Sequence, residues 1–389
     1  MASSQKKKPS RAKQKEALAA AAAAVEVPAA CDVAVVGGGA AGLVAAAVAA
    51  EAGASVVVLE RDLECGRSIL ATGNGRCNFA NECLDAWRYN DPDFVGTVCG
   101  EGEEWLADVL EFWRDCGLAW VNEDGRLYPA SLQAASVRNV LLDRCRRAGV
   151  VLAPGREADV SGWPAKSDRL NWQTGSIRPR AVILATGGSG EPVLCPLAAR
   201  PADGSVSLEE LDGRRARVRA ELMRGGQPVF AEDGEVLFRP WGLSGIVMFD
   251  FSRRALPGDV VRLDLTCGIP AGELAVLAPD GVLDPRIASA LGAGAAALSR
   301  ARALDFVVEG LAETNKAQVS RGGLPTSDFD PATLASRTLP GLYACGEALD
   351  VDADCGGFNL AWAWKSGMVA GAAAARAALA ANNEGTASC

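Results

Sequence analysis

The chain has 389 residues, a formal net charge of −9, 49 % hydrophobic and 22 % charged residues, and no histidine. That length accommodates two or three domains around a sizeable core. The acidic balance argues against nucleic acid and anionic membrane as partners, and the missing histidine excludes a Ser-His-Asp triad, histidine metal ligands and a histidine general base. Twelve cysteines without a C-x-x-C pair fit neither a structural zinc site nor a disulfide framework, so no metal is expected. Free thiols in a reducing cytoplasm are the simplest reading.

Residues 1–30 carry Lys6, Lys7, Lys8, Arg11, Lys13 and Lys15 ahead of a poly-Ala run and Pro28. A secretory leader would start this way, but Ala is weakly hydrophobic and Glu16 and Glu26 flank the run. The segment reads instead as a disordered or frayed helical tail. From Asp32 onward, DVAVVGGGAAGLVAAAVAAEAGASVVVLER predicts a buried strand over Val33–Val36, a glycine turn, an Ala-rich helix ending at Gly53, and a second strand over Ser55–Leu59. Gly37, Gly39 and Gly42 form G-x-G-x-x-G. The first permits the tight turn, the second lets a pyrophosphate reach the backbone, and the third lets helix and strand close up. Ala40 and Ala41 open the helix, whose free N–H groups and positive dipole end suit phosphate. Glu60 lies 23 residues after Gly37, where a carboxylate meets ribose hydroxyls, and Arg61 beside it is also expected against the cofactor. These features alone do not separate NAD from FAD.

Residues 66–81, GRSILATGNGRCNFAN, have no core-forming pattern. They read as a backbone-rich loop around a large polar ligand, with Arg67 and Arg76 near phosphate or flavin oxygens. The stretch Trp105–Trp113 reads as an amphipathic helix packed in the core. Val137–Arg147 reads as a helix and Val150–Leu152 as a strand. Short strands are expected over residues 156–180. Ala181–Leu184 form another buried strand, followed by Thr186, Gly187 and Gly188, of which Thr186 and Gly187 are expected against the cofactor. Residues 191–283 read as an inserted antiparallel β domain and 284–303 as a short helical piece. Leu342–Ala344 form a last strand, Gly346-Glu347 allow close backbone approach, and Gly356-Gly357 open a final helix through Trp362 and Trp364.

The stretches GRSILATGNGRCNFAN, AVILATGG, WGLSG, AQVSRGG and GLYACGEALDVDADCGGFNLAWAWKSGMVAG resemble those of the bacterial NAD(P)/FAD-dependent oxidoreductases that include bile-acid enone reductases and aminoacetone-oxidase-like proteins. The resemblance spans most of the chain. It implies an α/β fold: a glutathione-reductase-type FAD-binding Rossmann-like domain with an inserted antiparallel β domain and a reduced helical piece. The expected division is a tail over 1–30, an FAD domain over 31–190 and 321–389, and an insert over 191–320. The resemblance further implies non-covalent FAD, with pyrophosphate on Gly37–Gly42, adenosine ribose on Glu60, and adenine against the backbone of Ala158. Arg67 and the run Thr72, Gly73, Asn74, Gly75, Arg76, Cys77 and Asn78 would wrap the flavin side. Gly346, Glu347, Gly357, Phe358, Asn359 and Leu360 would lie against the ribityl chain and ring. The pattern departs from the family after ATGG, where Ser189-Gly190-Glu191-Pro192 run almost directly into Cys195-Pro196-Leu197. It departs again before GLSG, where Arg239 and Pro240 precede Trp241, and only Leu283-Asp284-Pro285-Arg286 correspond to the start of the family's helical subdomain.

The sequence therefore predicts an FAD-dependent reductase of a small organic acceptor, enone-like, with NAD(P)H as transient donor. No second G-x-G-x-x-G marks a separate nicotinamide domain. For an enone acceptor the proton donors to consider are Tyr128, Cys355 and Lys365, although a structural role is the commoner one for each. Two other readings stand beside it: an FAD protein that has lost catalysis and serves as a redox sensor or interaction protein, and an amine-type oxidase. Oligomeric state is not legible.

Overall fold

A computed structural model describes residues 10–204, 206–317 and 319–386. The chain divides into two compact units, residues 1–190 with 321–389, and residues 191–320.

In the first unit five strands form a parallel sheet in the order Leu342–Ala344, Gly175–Leu184, Ala30–Val36, Val56–Glu60, Val151–Pro154. Leu170–Trp172 adds an antiparallel hairpin to Gly175–Leu184. The strands are apolar throughout because both faces are covered. Alternate side chains serve different layers. Val33, Val35, Val56, Val58 and Ile183 face the helical core, whereas Ala34, Val36, Val57, Leu59 and Val182 join Trp163, Leu170 and Ile177 on the other face. Two Ala-rich helices, Ala40–Glu51 and Gly356–Thr386, pack together on the helical side. A Cβ at Gly371 would lie 2.4 Å from the Ala45 carbonyl oxygen, so small residues set how closely the two axes approach. Trp105, Trp113, Trp362 and Trp364 are fully buried in the same core, as the aromatic pattern predicts.

At the start of the chain the helical form of the expected tail is the one present. Residues 11–23 form a helix capped by the Ser10 hydroxyl rather than a disordered tail. Arg156 supplies the reason: its guanidinium donates to the carbonyls of Ala22 and Val25, satisfying acceptors that a helix C-terminus leaves open.

The second unit is a closed antiparallel barrel in the order Leu197–Pro201, Gly242–Ser244, Gln227–Arg239, Arg215–Arg224, Val260–Asp264, Leu304–Leu311. The last strand pairs back to the first. Along Arg215–Arg224, Val218, Ala220 and Leu222 are buried while Arg217 and Arg219 are exposed. The helices Pro285–Leu291 and Gly294–Ala301 occupy the region expected to be helical.

Candidate functional site

The strand Ala30–Val36 ends at Gly37, whose φ is +107°. A Cβ there would fall 2.2 Å from the Ala185 carbonyl oxygen, and one at Gly42 would fall 2.0 Å from the Gly37 carbonyl oxygen. Only glycine lets strand, turn and helix approach this closely. Gly39 is the N-cap of the helix Ala40–Glu51, in extended conformation, and no side chain caps it. The first-turn N–H groups of Ala40, Ala41 and Gly42 therefore have no side-chain acceptor, which is the arrangement that receives an anion.

Glu60 closes the second strand and faces this turn. One carboxylate oxygen accepts from the Gly38 N–H at 2.7 Å, and the other accepts from the Asp62 N–H at 2.7 Å. The carboxylate is thus fixed in place and keeps lone pairs for hydroxyl donors. Gly155 and Arg156 donate to the carbonyls of Asp62 and Glu60. Ala158, two residues on, is half-buried and packs with Val25 and Val27 beneath the sheet. Arg61 is exposed.

Arg67 begins a short helix and pairs with Asp62 at 3.3 Å while most of its side chain faces solvent. Thr72–Gly75 form one 3-10 turn, with Gly73 and Gly75 at positive φ and the Thr72 hydroxyl donating to the Ile69 carbonyl. Arg76 pairs with Glu123 and lies 4.4 Å over the Tyr128 ring. Both arginines expected near ligand oxygens are thus paired with protein carboxylates. Cys77 is fully buried at φ +59°. The Asn78 amide, oriented by its neighbours, donates to the Ala80 and Leu127 carbonyls. Thr186 and Gly187 are exposed beside Gly37.

The last helix completes the ring of loops. A Cβ at Gly357 would lie 2.5 Å from the Asn78 amide, which places the start of this helix against the 72–78 loop. Asn359 fastens the preceding turn: its side chain accepts from the Ala353 N–H and donates to the carbonyls of Ala353 and Cys355. Phe358 and Leu360 are buried, and the Phe358 carbonyl accepts from the Tyr89 hydroxyl at 2.6 Å. Gly346 is held from both sides, its N–H by the Ser366 hydroxyl at 2.9 Å and its carbonyl by the Trp362 indole at 3.1 Å. Glu347 beside it is half-buried. The Trp364 indole likewise holds the Phe79 carbonyl at 2.8 Å. The N–H groups of these two tryptophans fix the loops, over separations of up to 285 residues that no local pattern discloses.

Of the three protic side chains, Lys365 is paired with Asp108. Cys355 is buried and accepts from the Asn81 amide at 3.4 Å. Tyr128 lies beneath Arg76, and burial pushes its phenol up, against the opposing charges of Arg126 and Arg76. Among the described residues no group of three or more metal-ligating side chains is placed to hold a metal ion.

A parallel sheet whose first strand exits through a glycine turn onto an uncapped helix, with a carboxylate fixed at the end of the second strand, defines a dinucleotide-binding protein. The uncapped helix, the glycine cradle and the fixed Glu60 fit the pyrophosphate and ribose of FAD. The model of the HI0933-like protein Rossmann domain matches residues 31–373, and the chain belongs to this family of FAD-binding Rossmann oxidoreductases. It is 31 % identical to a 3-dehydro-bile acid delta(4,6)-reductase of Clostridium scindens, over 84 % of this chain and 94 % of that protein. It is 25 % identical to a ribosomal RNA dihydrouridine synthase of Escherichia coli, over 81 % and 91 %. Among solved structures, the open conformation of a flavocytochrome c3 fumarate reductase is similar at 16 % identity with a TM-score of 0.47, covering 97 % of this chain and 83 % of that one.

Proposed function

We propose that the protein is an NAD(P)H-linked, FAD-dependent reductase of a small, enone-like organic acceptor. The observation that carries this reading is the relative at 31 % identity, whose name describes reduction of double bonds in a 3-keto bile acid. Dihydrouridine formation is also the saturation of a carbon–carbon double bond beside a carbonyl, which supports the same reaction class. The net charge of −9 favours a small acceptor over an RNA. When bound, FAD would supply hydride-transfer chemistry between a donor such as NAD(P)H and the acceptor.

The chain's own residues bind and orient. On this reading residues 31–190 and 321–389 are the FAD domain and 191–320 the insert. Gly37, Gly39, Ala40, Ala41 and Gly42 hold the pyrophosphate through backbone N–H groups, Glu60 holds the ribose, and the backbone at Ala158 meets adenine. The loop Thr72–Asn78 and the segments Gly346–Glu347 and Gly357–Leu360 enclose the flavin end. With the flavin ring bound against Gly357–Leu360, the positive end of the last helix would favour its acquiring negative charge. A cytoplasmic setting suits the free thiols, and among the described residues no helix is long and apolar enough to cross a membrane.

The test is the visible spectrum of the purified protein under NADH or NADPH without oxygen, followed by a steroid 4-en-3-one. Bleaching, then reoxidation by the enone faster than that of free reduced FAD, is the expected result. Bleaching that only oxygen reverses, with peroxide release, establishes an oxidase in its place.

A further inference from the structure

The segment Asp350-Val351-Asp352-Ala353-Asp354 places three carboxylates immediately before the last helix. Uncompensated negative charge here opposes any ligand that gains an electron pair at the helix start. Each carboxylate is instead met from a neighbouring segment. Asp350 accepts from the Gly322 N–H at 2.9 Å, and Arg88 lies 3.5 Å from Asp354. Asp352 is the most deeply placed, with no exposed surface, and Arg321 reaches it with two nitrogens at 3.3 and 3.5 Å. The backbone is stitched on both sides: Asn90 bonds the N–H and C=O of Asp352, and Leu324 bonds Ala348 and Asp350. One residue after Asp352, Ala353 is fixed to Asn359 inside the helix.

We infer that Arg321 is a positioning residue for the flavin: by pairing with Asp352 it cancels a buried negative charge at the entry of the last helix. This rests on the reading that the flavin ring lies against Gly357–Leu360. The physical argument is one of compensation. Without the guanidinium the negative charge at Asp352 is less compensated, and at a pH where the carboxylate stays ionised its field acts in a medium that screens poorly. It then offsets the positive helix end that favours reduction. Arg321 also stands where the chain re-enters the first unit, against Gly190, so the charge balance of the helix entry is set by a residue far from it in sequence.

The experiment is a spectroelectrochemical titration of bound FAD in the wild type, Arg321→Ala, Arg321→Lys, Asp352→Asn and the double variant Arg321→Ala/Asp352→Asn. The expected result is a reduction potential more negative in Arg321→Ala, close to wild type in Arg321→Lys, and restored toward wild type in the double variant. Should Arg321→Ala fold poorly, Arg321→Gln keeps the side-chain bulk and removes the charge for the same comparison. A potential unchanged in the charge-removing variant, or a shift that Asp352→Asn does not reverse, overturns the inference. A wild-type protein that takes up no FAD overturns the site reading itself, which is a different and separately visible failure.

Discussion

Glu60 holds two backbone N–H groups at once, that of Gly38 in the glycine turn and that of Asp62 at the exit of the second strand. It therefore has a structural role even before any ribose arrives. Glu60→Ala strands both donors at a half-buried position, a loss of about 1–3 kcal/mol. Denaturant unfolding of the FAD-free protein should show this destabilisation, and FAD affinity should fall at least tenfold. Glu60→Gln retains one acceptor and a donor, so it should fold more nearly like wild type while still binding FAD more weakly. At Gly42 the obstacle is steric. An added Cβ would meet the Gly37 carbonyl at 2.0 Å, so Gly42→Ala must spread strand and helix, and overpacking of this kind costs about 1–3 kcal/mol. Fluorescence titration with FAD should show binding reduced by more than an order of magnitude. Gly149→Ala serves as the control, since its Cβ would meet nothing within 4 Å and only the positive φ opposes it.

Elements were legible in the sequence where periodicity and punctuation agree. The strand, glycine turn, helix and strand from residue 30 to 60 fall within three residues of the reading, because both faces of the sheet demand apolar side chains and glycines mark the turns. The final helix was legible for the same reason. The inserted β region was legible as antiparallel, but its closure into a barrel was not. Closure depends on Leu197–Pro201 pairing with Leu304–Leu311, about a hundred residues on, which alternation alone does not encode. The first segment stayed open between disorder and helix because its support is a side chain over 130 residues away: the Ala-rich run has the propensity, and Arg156 supplies the partner. Arg156→Ala should therefore release this helix without unfolding the sheet. Limited trypsin digestion is expected to cut the variant rapidly at Arg11, Lys13 and Lys15 while the remaining body stays protected. Equal rates in variant and wild type would show that the helix is held by its packing alone.

At the scale of the whole molecule, the chain has no histidine and keeps most of its described thiols buried. Of the described cysteines, Cys83 and Cys267 are exposed and nine are buried. Burial pushes Cys31, Cys65, Cys77, Cys145 and Cys345 up to about 12. In the unfolded chain the same thiols ionise at about 8.5. Their folded values are raised, so between roughly pH 9 and 12 the unfolded chain sheds protons that the folded chain retains. The stability these groups contribute is complete below about pH 8.5 and is lost as pH climbs through that window. With no histidine to titrate, the protein should have a flat unfolding midpoint between pH 6 and 8, and the midpoint should then fall steeply in alkali. Denaturant melts at half-unit steps from pH 6 to 10.5, under reducing conditions, measure this directly. Thiol titration supplies the structural half of the same argument. At pH 8 a disulfide reagent should modify Cys83 and Cys267 promptly and the nine buried thiols only once denaturant opens the core. Prompt reaction of a buried thiol in the folded protein would mean that its surroundings open readily, and the alkaline fall in stability should then be correspondingly shallower.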